Sequence, residues 1–408
     1  MKIALLHYSA PPIVGGVESV MAHHARLMRK AGHAVVILAG RGASFDGQIP
    51  VRVLPHLDSR HPEVMRVKEA LDQGICPPAF DALREQIARE LAAELEGVDV
   101  LIAHNVASLH KNLALTAALF EAYRSPAFPR LVLWHHDLAW TTPRYGAEMH
   151  SGYPWDLLRS GWPGARHVVV SRLRQQELGE LLGAPGPAIR VIPNGVDLKA
   201  FFKLEAQTVE LVDQLRLLEA DPLILLPVRL TPRKNIELAL RVLAELKKPF
   251  PNAMLLVTGP EGPHNPANAL YKKKLLQLRD ALNLQGSAHF LAEVLPSFAP
   301  DAVISDFYRL SDALLFPSQE EGFGIPVIEA AFSGMPVFCS NIPVLRELGG
   351  EDVTYFETDD APEAIAEQIT SRLQNEVTSR WARRAKRGYA WDLIYAQQIE
   401  PFLQEVIT

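Results

Sequence analysis

Two carboxylates eight positions apart, Glu321 and Glu329, bracket Gly322, Phe323, Gly324 and Pro326. The apolar run at residues 313–316 reads as a buried strand, and Ile325 onward as the first turns of a helix. Gly322, Phe323 and Gly324 then fall on the connecting loop, where missing side chains let a ligand approach backbone N–H groups closely. Those groups point out of a helix N-terminus, which favours negative charge or electron-rich oxygen. One carboxylate can face one end of a ligand and the other its middle. A glycine-proline turn with two solvated glutamates is the plainer alternative.

Arg229 and Lys234 follow a second apolar run, at the carboxyl edge where open α/β sheets bind ligands. A planar fork and a point charge five residues apart can converge on a diphosphate; a solvated basic turn that includes Arg233 is the alternative. Gly15 and Gly16 lie between a strand and a helix but lack the G-x-G-x-x-G pattern. Their N–H groups can still meet phosphate or acceptor oxygen, while Glu18 either caps the helix or holds an acceptor. Trp134, His135, His136 and Asp137 end another strand, and Trp140 adds aromatic surface. Neighbouring strand residues point to opposite faces, so His135 and His136 do not share a metal. His104 and Asn105 close a further strand and are acceptor-side candidates, as are Glu18, His135 and Trp140. The chain has no Asp-x-Asp triplet to hold a metal on a diphosphate.

The elements that must position these groups are legible as apolar runs. In the first half they fall at residues 3–6, 35–38, 51–54, 100–103, 131–134, 167–170 and 190–192, mostly alternating with helical segments. Residues 17–28 carry helical spacing, closed by Gly32. The same rhythm restarts after residue 196, at 223–228, 254–258, 289–291, 313–316 and 337–339. This is the βαβ alternation of doubly wound parallel sheets, twice over. The expected domains are residues 1–195 and 196–385, followed by a segment, 386–408, that ends in an amphipathic helix.

At 408 residues the chain is too long for one ordinary core. The two cysteines, Cys76 and Cys339, are far apart and suit a reducing cytoplasm better than a disulfide framework. The formal net charge is −6, divided as +2 before Val196 and −8 from there on. The acidic second half argues against nucleic-acid binding. The weakly basic first half leaves peripheral contact with a membrane open, and residues 60–73 carry Val64, Val67 and Leu71 on one helical face beside Arg66 and Lys68. No apolar run approaches the roughly 18–20 residues of a membrane span. Nothing in the sequence sets an oligomeric state.

The glutamate run resembles the donor-site signature of family 4 of the retaining, nucleotide-sugar-dependent glycosyltransferases, which have the GT-B fold. Further matches follow in that family's order: Gly15 to Glu18, His136-Asp137, Pro193 to Asp197, Arg229 to Asn235, Val257 to Gly259, Phe290 to Val294 and Tyr308 to Asp312. The resemblance implies two Rossmann-like domains whose parallel sheets face each other across a cleft, and a C-terminal helix, within 386–408, that returns to the first domain. It implies that Arg229 and Lys234 neutralise a departing diphosphate and that His136 touches the donor sugar. Glu321 and the amides of Gly322, Phe323 and Gly324 would hold sugar hydroxyls, and Glu329 the ribose. Gly16, Gly259 and Val294 fall on the donor side as well, with the base read by backbone near Val294. No cofactor or metal is then required; the substrates are a UDP- or GDP-linked sugar and a sugar, small-acid or lipid-linked acceptor. Where many members have a Gly-Gly loop against the diphosphate, this chain has residues 340–347, beginning Ser340-Asn341-Ile342, whose Ile342, Val344 and Leu345 amides are the substitutes. A sugar-nucleotide epimerase and a non-catalytic sugar-nucleotide-binding protein are the rival readings.

Overall fold

A computed structural model of the chain describes residues 1–183, 189–260, 266–295 and 298–408. Among the described residues, thirteen strands form two all-parallel sheets. The first sheet contains β1 (Lys2–His7), β2 (Ala34–Ala39), β3 (Val51–Val53), β4 (Val100–His104), β5 (Arg130–His135), β6 (Arg166–Val169) and β7 (Ile189–Val191), in the order β3-β2-β1-β4-β5-β6-β7. The second contains β8 (Leu223–Leu226), β9 (Met254–Val257), β10 (Ala288–Phe290), β11 (Ala313–Phe316), β12 (Val337–Ser340) and β13 (Thr354–Phe356), in the order β10-β9-β8-β11-β12-β13. Each sheet starts in the middle, grows to one edge, then returns and grows the other way. The order reverses between β1 and β4 in the first sheet and between β8 and β11 in the second. Ligands of open α/β sheets bind outside the carboxyl ends of strands at such a reversal.

The strands are apolar almost throughout because helices cover both faces of a parallel sheet. Every residue of β4, β8, β11 and β12 is buried. The chain divides into two compact units, Met1–Gly195 with Ile394–Thr408, and Val196–Leu393. Residues 386–393 therefore stay with the second unit, which differs from the boundary expected at 386. Buried ion pairs of the helix Val377–Tyr389, which leads into this stretch, hold it there. Arg383 donates to Asp221 at 2.8 and 2.6 Å, and Lys386 donates to Asp312 at 2.9 and 2.8 Å. Asp312 also accepts from the Leu223 N–H at 2.7 Å, which ties this helical segment to the start of β8.

The terminal segment is not one regular helix. A wide π-type turn at Tyr395–Ile399 precedes the helix Glu400–Ile407, whose Pro401 has no N–H to donate back. Phe402, Leu403 and Val406 bury into the first unit, and His33 and Arg190 engage Glu400 at 2.9 Å and Glu405 at 2.5 Å. The helix Pro62–Asp72 buries Val64, Val67 and Leu71 in that unit's core, so this apolar face is not free to meet a membrane. Among the described residues no helix is long and apolar enough to cross one.

Candidate functional site

In the second unit the groups singled out from sequence gather at the β8/β11 reversal. Arg229 lies three residues past β8, exposed, with no side-chain hydrogen bond or ion pair among the described residues. A short turn, Pro232–Lys234, then points Lys234 back into the unit, where it is 9% exposed. Its ammonium donates to Glu321 Oε1 and sits 5.2 Å from the centre of the Phe316 ring. Arg233 lies 3.8 Å from the other Glu321 oxygen and donates to the Glu320 carbonyl at 3.0 Å, and the Gln319 N–H donates to the Arg233 carbonyl at 2.8 Å. The loop after β11 and the turn after β8 are thus fastened together, and exposed Arg229 is left at the rim without a side-chain partner among the described residues.

Gly324 precedes the helix Ile325–Phe332 with φ at 102°, a conformation that side-chain-bearing residues rarely adopt. A Cβ added there would meet Leu345 Cδ2 at 2.6 Å. Gly322 has open space around it, and Phe323 is exposed. Glu329 is exposed one turn inside the helix; the hydroxyl of buried Tyr308 donates to the Pro326 carbonyl at 3.5 Å, and burial followed by the nearby Glu329 carboxylate pushes the Tyr308 phenol far up. Gly259 supports Arg229 from beneath, since a Cβ there would lie 1.9 Å from the Val228 carbonyl oxygen and 2.5 Å from the Arg229 nitrogen. Val294 ends a short helix, Leu291–Val294, and packs half-buried on the unit's core. The Ile342 and Leu345 N–H groups donate to Ser340 and Ile342 carbonyls at 2.9 and 3.0 Å. They are engaged within the loop, and of the three substitute amides only that of Val344 stays available.

In the first unit the corresponding groups lie at the β1/β4 reversal and beside it. Gly16 opens the helix Gly16–Lys30, exposed and with nothing near its missing Cβ. Glu18 folds back over Gly15 and accepts from Ser9 Oγ at 2.5 Å. Asn105, at a φ of 57°, accepts the His136 N–H at 2.7 Å and the Asp137 N–H at 3.2 Å on one oxygen. His104 is fully buried and pairs its Nδ1 with His136 Nε2 at 3.1 Å. Asn105 and His104 therefore position His136 and are themselves too buried to meet an acceptor. His135 points to the opposite face, 2% exposed, its Nε2 3.1 Å from His167 Nδ1; its place among acceptor contacts is corrected to core packing. Trp134 is wholly buried, and Trp140 donates to the Trp155 carbonyl at 3.3 Å with the Arg159 guanidinium over its ring. That cation covers aromatic surface that a sugar ring would need.

Burial holds the rings of His7, His104 and His135 below their ordinary pKa, and it holds His24 and His136 at about 3 and His167 at about 4. The fold keeps these rings neutral, whereas the unfolded chain protonates them below about 6.5. Their contribution is fully present above that pH and is lost as pH falls towards 4 and 3. Urea unfolding is expected to show lower stability at pH 5.2 than at pH 7, a window above the carboxylate range. Equal midpoints at the two values would refute it.

A cluster not seen in the sequence lies in the first unit. Asp72, His110 and Glu148 bring ligand atoms within 4.8 Å of one another. The Lys68 ammonium occupies their focus, donating to Asp72 at 2.7 and 2.5 Å and to Glu148 at 3.0 Å. A protein-borne cation thus stands where a metal would.

Two Rossmann-like parallel sheets, each with polar groups at its reversal point, define an α/β enzyme of the GT-B class. Comparison with known sequences gives the same answer. The profile described as Glycosyltransferase Family 4 matches residues 14–200, and that described as Glycosyl transferases group 1 matches residues 209–390. The chain belongs to glycosyltransferase family 4 and is a glycosyl-transferring enzyme. It is similar to the mannosylglucosylglycerate synthase of Petrotoga mobilis, 25% identical with 85% of this chain and 84% of that protein covered. It is also similar to the MMP alpha-(1->4)-mannosyltransferase of Mycolicibacterium hassiacum, 24% identical with 98% and 97% covered. A solved glycosyltransferase structure from Rickettsia africae aligns over 100% of this chain and 98% of that one at 18% identity, with a TM-score of 0.39 that is too low to decide anything further.

Tyr308 is the residue sequence reasoning passed over. It stood inside a matched motif without a role, because its contact with the start of the glutamate helix, at the Pro326 carbonyl, spans 18 positions and belongs to no local pattern.

Proposed function

We propose that the enzyme transfers a hexosyl group from a UDP- or GDP-linked sugar to an acceptor hydroxyl, with retention at the anomeric carbon and without a metal ion. The observation that carries this reading is the Lys234–Glu321 pair beside Arg229, which has no side-chain partner among the described residues, at the β8/β11 reversal. A diphosphate seated there meets Arg229 first, and Lys234 stands ready as charge grows on the leaving oxygen. Glu321, released in part from Lys234 by the incoming phosphate, is free to accept from sugar hydroxyls. Glu329, exposed one turn inside its helix, suits the ribose. The bond between the anomeric carbon and the diphosphate oxygen breaks as the acceptor oxygen bonds that carbon from the same face, and the acceptor's proton passes to the departing phosphate. No carboxylate acts as the nucleophile in this scheme. One of the relatives above is a mannosyltransferase and the other a mannosylglucosylglycerate synthase, which favours a mannose- or glucose-type donor.

The test is release of nucleoside diphosphate from a panel of UDP- and GDP-sugars with and without acceptors, in excess EDTA, with the product's anomeric configuration read by NMR. Acceptor-dependent release and a retained anomer are expected. Binding of donor with no release under any acceptor pool would remove the transferase reading, and an inverted product would remove the front-face mechanism.

A further inference from the structure

Lys111 and Arg144 lie in the first unit, on segments that follow the carboxyl ends of β4 and β5, and both sit over one aromatic ring. The Lys111 ammonium and the Arg144 guanidinium carbon are each 4.6 Å from the centre of the Tyr145 ring. Neither has a carboxylate within 4.0 Å among the described residues. Asp72 and Glu148 are the acids facing this group, but Lys68 holds both and His110 holds Glu148 as well. Three cations therefore face two carboxylates. Burial, then Lys68, keeps the Lys111 ammonium below its usual range; Glu148 and Asp72 offset this in part, and Arg144 adds to it. Against this ring stands His110, edge-on at 4.9 Å and 2% exposed, its buried Nδ1 without a hydrogen-bond partner among the described residues.

A cation whose only role was to solvate the surface would extend into water. Lys111 instead lies half-buried on a phenol, a weaker partner than a carboxylate. An anion placed between Lys111 and Arg144 would supply the missing counter-charge. Its location also suits a substrate group. The 105–109 loop that fixes the His136 backbone runs directly into His110 and Lys111, and the Ala139 N–H donates to the Ser108 carbonyl at 2.8 Å, joining the two loops.

We infer that Lys111 and Arg144 form a subsite for an anionic group of the acceptor, a carboxylate or a phosphate. The inference rests on the transferase reading above and narrows its acceptor to an acid. Arg144 offers a planar fork to two oxygens and Lys111 a point charge.

The test pairs D-glycerate with glycerol, and glucose 6-phosphate with glucose, as acceptors for the full chain, using the donor that proves active. In at least one pair the anionic member is expected to show an acceptor kcat/KM about 10- to 100-fold above its neutral analogue. Lys111→Gln and Arg144→Gln should erase that difference by raising acceptor KM, with donor KM unchanged. Preference confined to glycerate assigns a carboxylate, and preference confined to the sugar phosphate assigns a phosphate. Calorimetric titration of D-glycerate and inorganic phosphate without donor keeps the test independent of turnover. Anion binding weakened about tenfold in Lys111→Gln, with no diphosphate release under any acceptor, would leave the subsite standing and sink the transferase reading. Neutral acceptors used as well as acids, variants with wild-type KM, or no anion binding by the wild-type chain would each overturn the subsite.

Discussion

Lys234→Ala is expected to lower kcat about 100- to 1000-fold, the loss typical of deleting one preorganised donor to a developing oxyanion. The substitution has a second consequence that must be separated from the first. Lys234 is the ammonium partner of Glu321, whose side chain is only 9% exposed, and removing one member of a buried pair costs about 3–5 kcal/mol. Arg233, 3.8 Å from the other carboxylate oxygen, offsets part of that. The variant should therefore unfold at lower urea as well as turn over slowly. The double variant Lys234→Ala/Glu321→Ala resolves the two effects, because it removes the orphaned carboxylate along with the cation. It is expected to regain most of the stability and none of the turnover. Lys234→Arg should also stay slow, since a planar guanidinium does not fit the space of a point charge on Phe316. A Lys234→Ala enzyme with full turnover would dismiss leaving-group stabilisation by this residue.

That pair also marks the limit of what the sequence displays. Apolar runs such as 100–103 and 313–316 are legible because a strand covered on both faces must be apolar at consecutive positions. The βαβ rhythm places Arg229 and the glutamate loop at the carboxyl ends of strands, but the strand order that makes β8 and β11 neighbours at a reversal is set by tertiary pairing. The opposite facing of His135 and His136 is likewise readable from strand alternation. β13 escaped because Thr354–Phe356 is short, half-buried and set between charged residues. The domain boundary slipped by eight residues because the pairs that hold 386–393 join positions 162 and 74 apart. The Lys234–Glu321 contact joins positions 87 apart. Such links have no local period, so sequence shows the participants without showing who pairs with whom. His104 and Asn105 illustrate the same limit. Their position at a strand end was visible, but only burial reveals that they hold His136 in place and do not meet a substrate.

Gly259→Ala is expected to be the most damaging single-methyl change near the donor half. Its Cβ would lie 1.9 Å from the Val228 carbonyl oxygen, 2.3 Å from the Val228 carbonyl carbon and 2.5 Å from the Arg229 nitrogen. All three obstacles are backbone, so no rotamer change relieves them, and either the segment after β9 or the segment after β8 must move. Overpacking a rigid site costs about 1–3 kcal/mol and more where backbone is displaced. The displaced backbone is the one that carries Arg229, fastened on its far side by the Leu230 N–H donating to the Pro260 carbonyl at 3.0 Å. A shift of even 1 Å there swings the exposed guanidinium away from any diphosphate. The predicted outcome is a raised urea sensitivity together with a donor KM increased at least as much as in Arg229→Ala. Gly322→Ala serves as the contrast, because nothing lies within 4 Å of the added methyl, and it should leave stability unchanged. If Gly259→Ala kept wild-type stability and donor affinity, close backbone approach between the ends of β8 and β9 would not be what shapes this site.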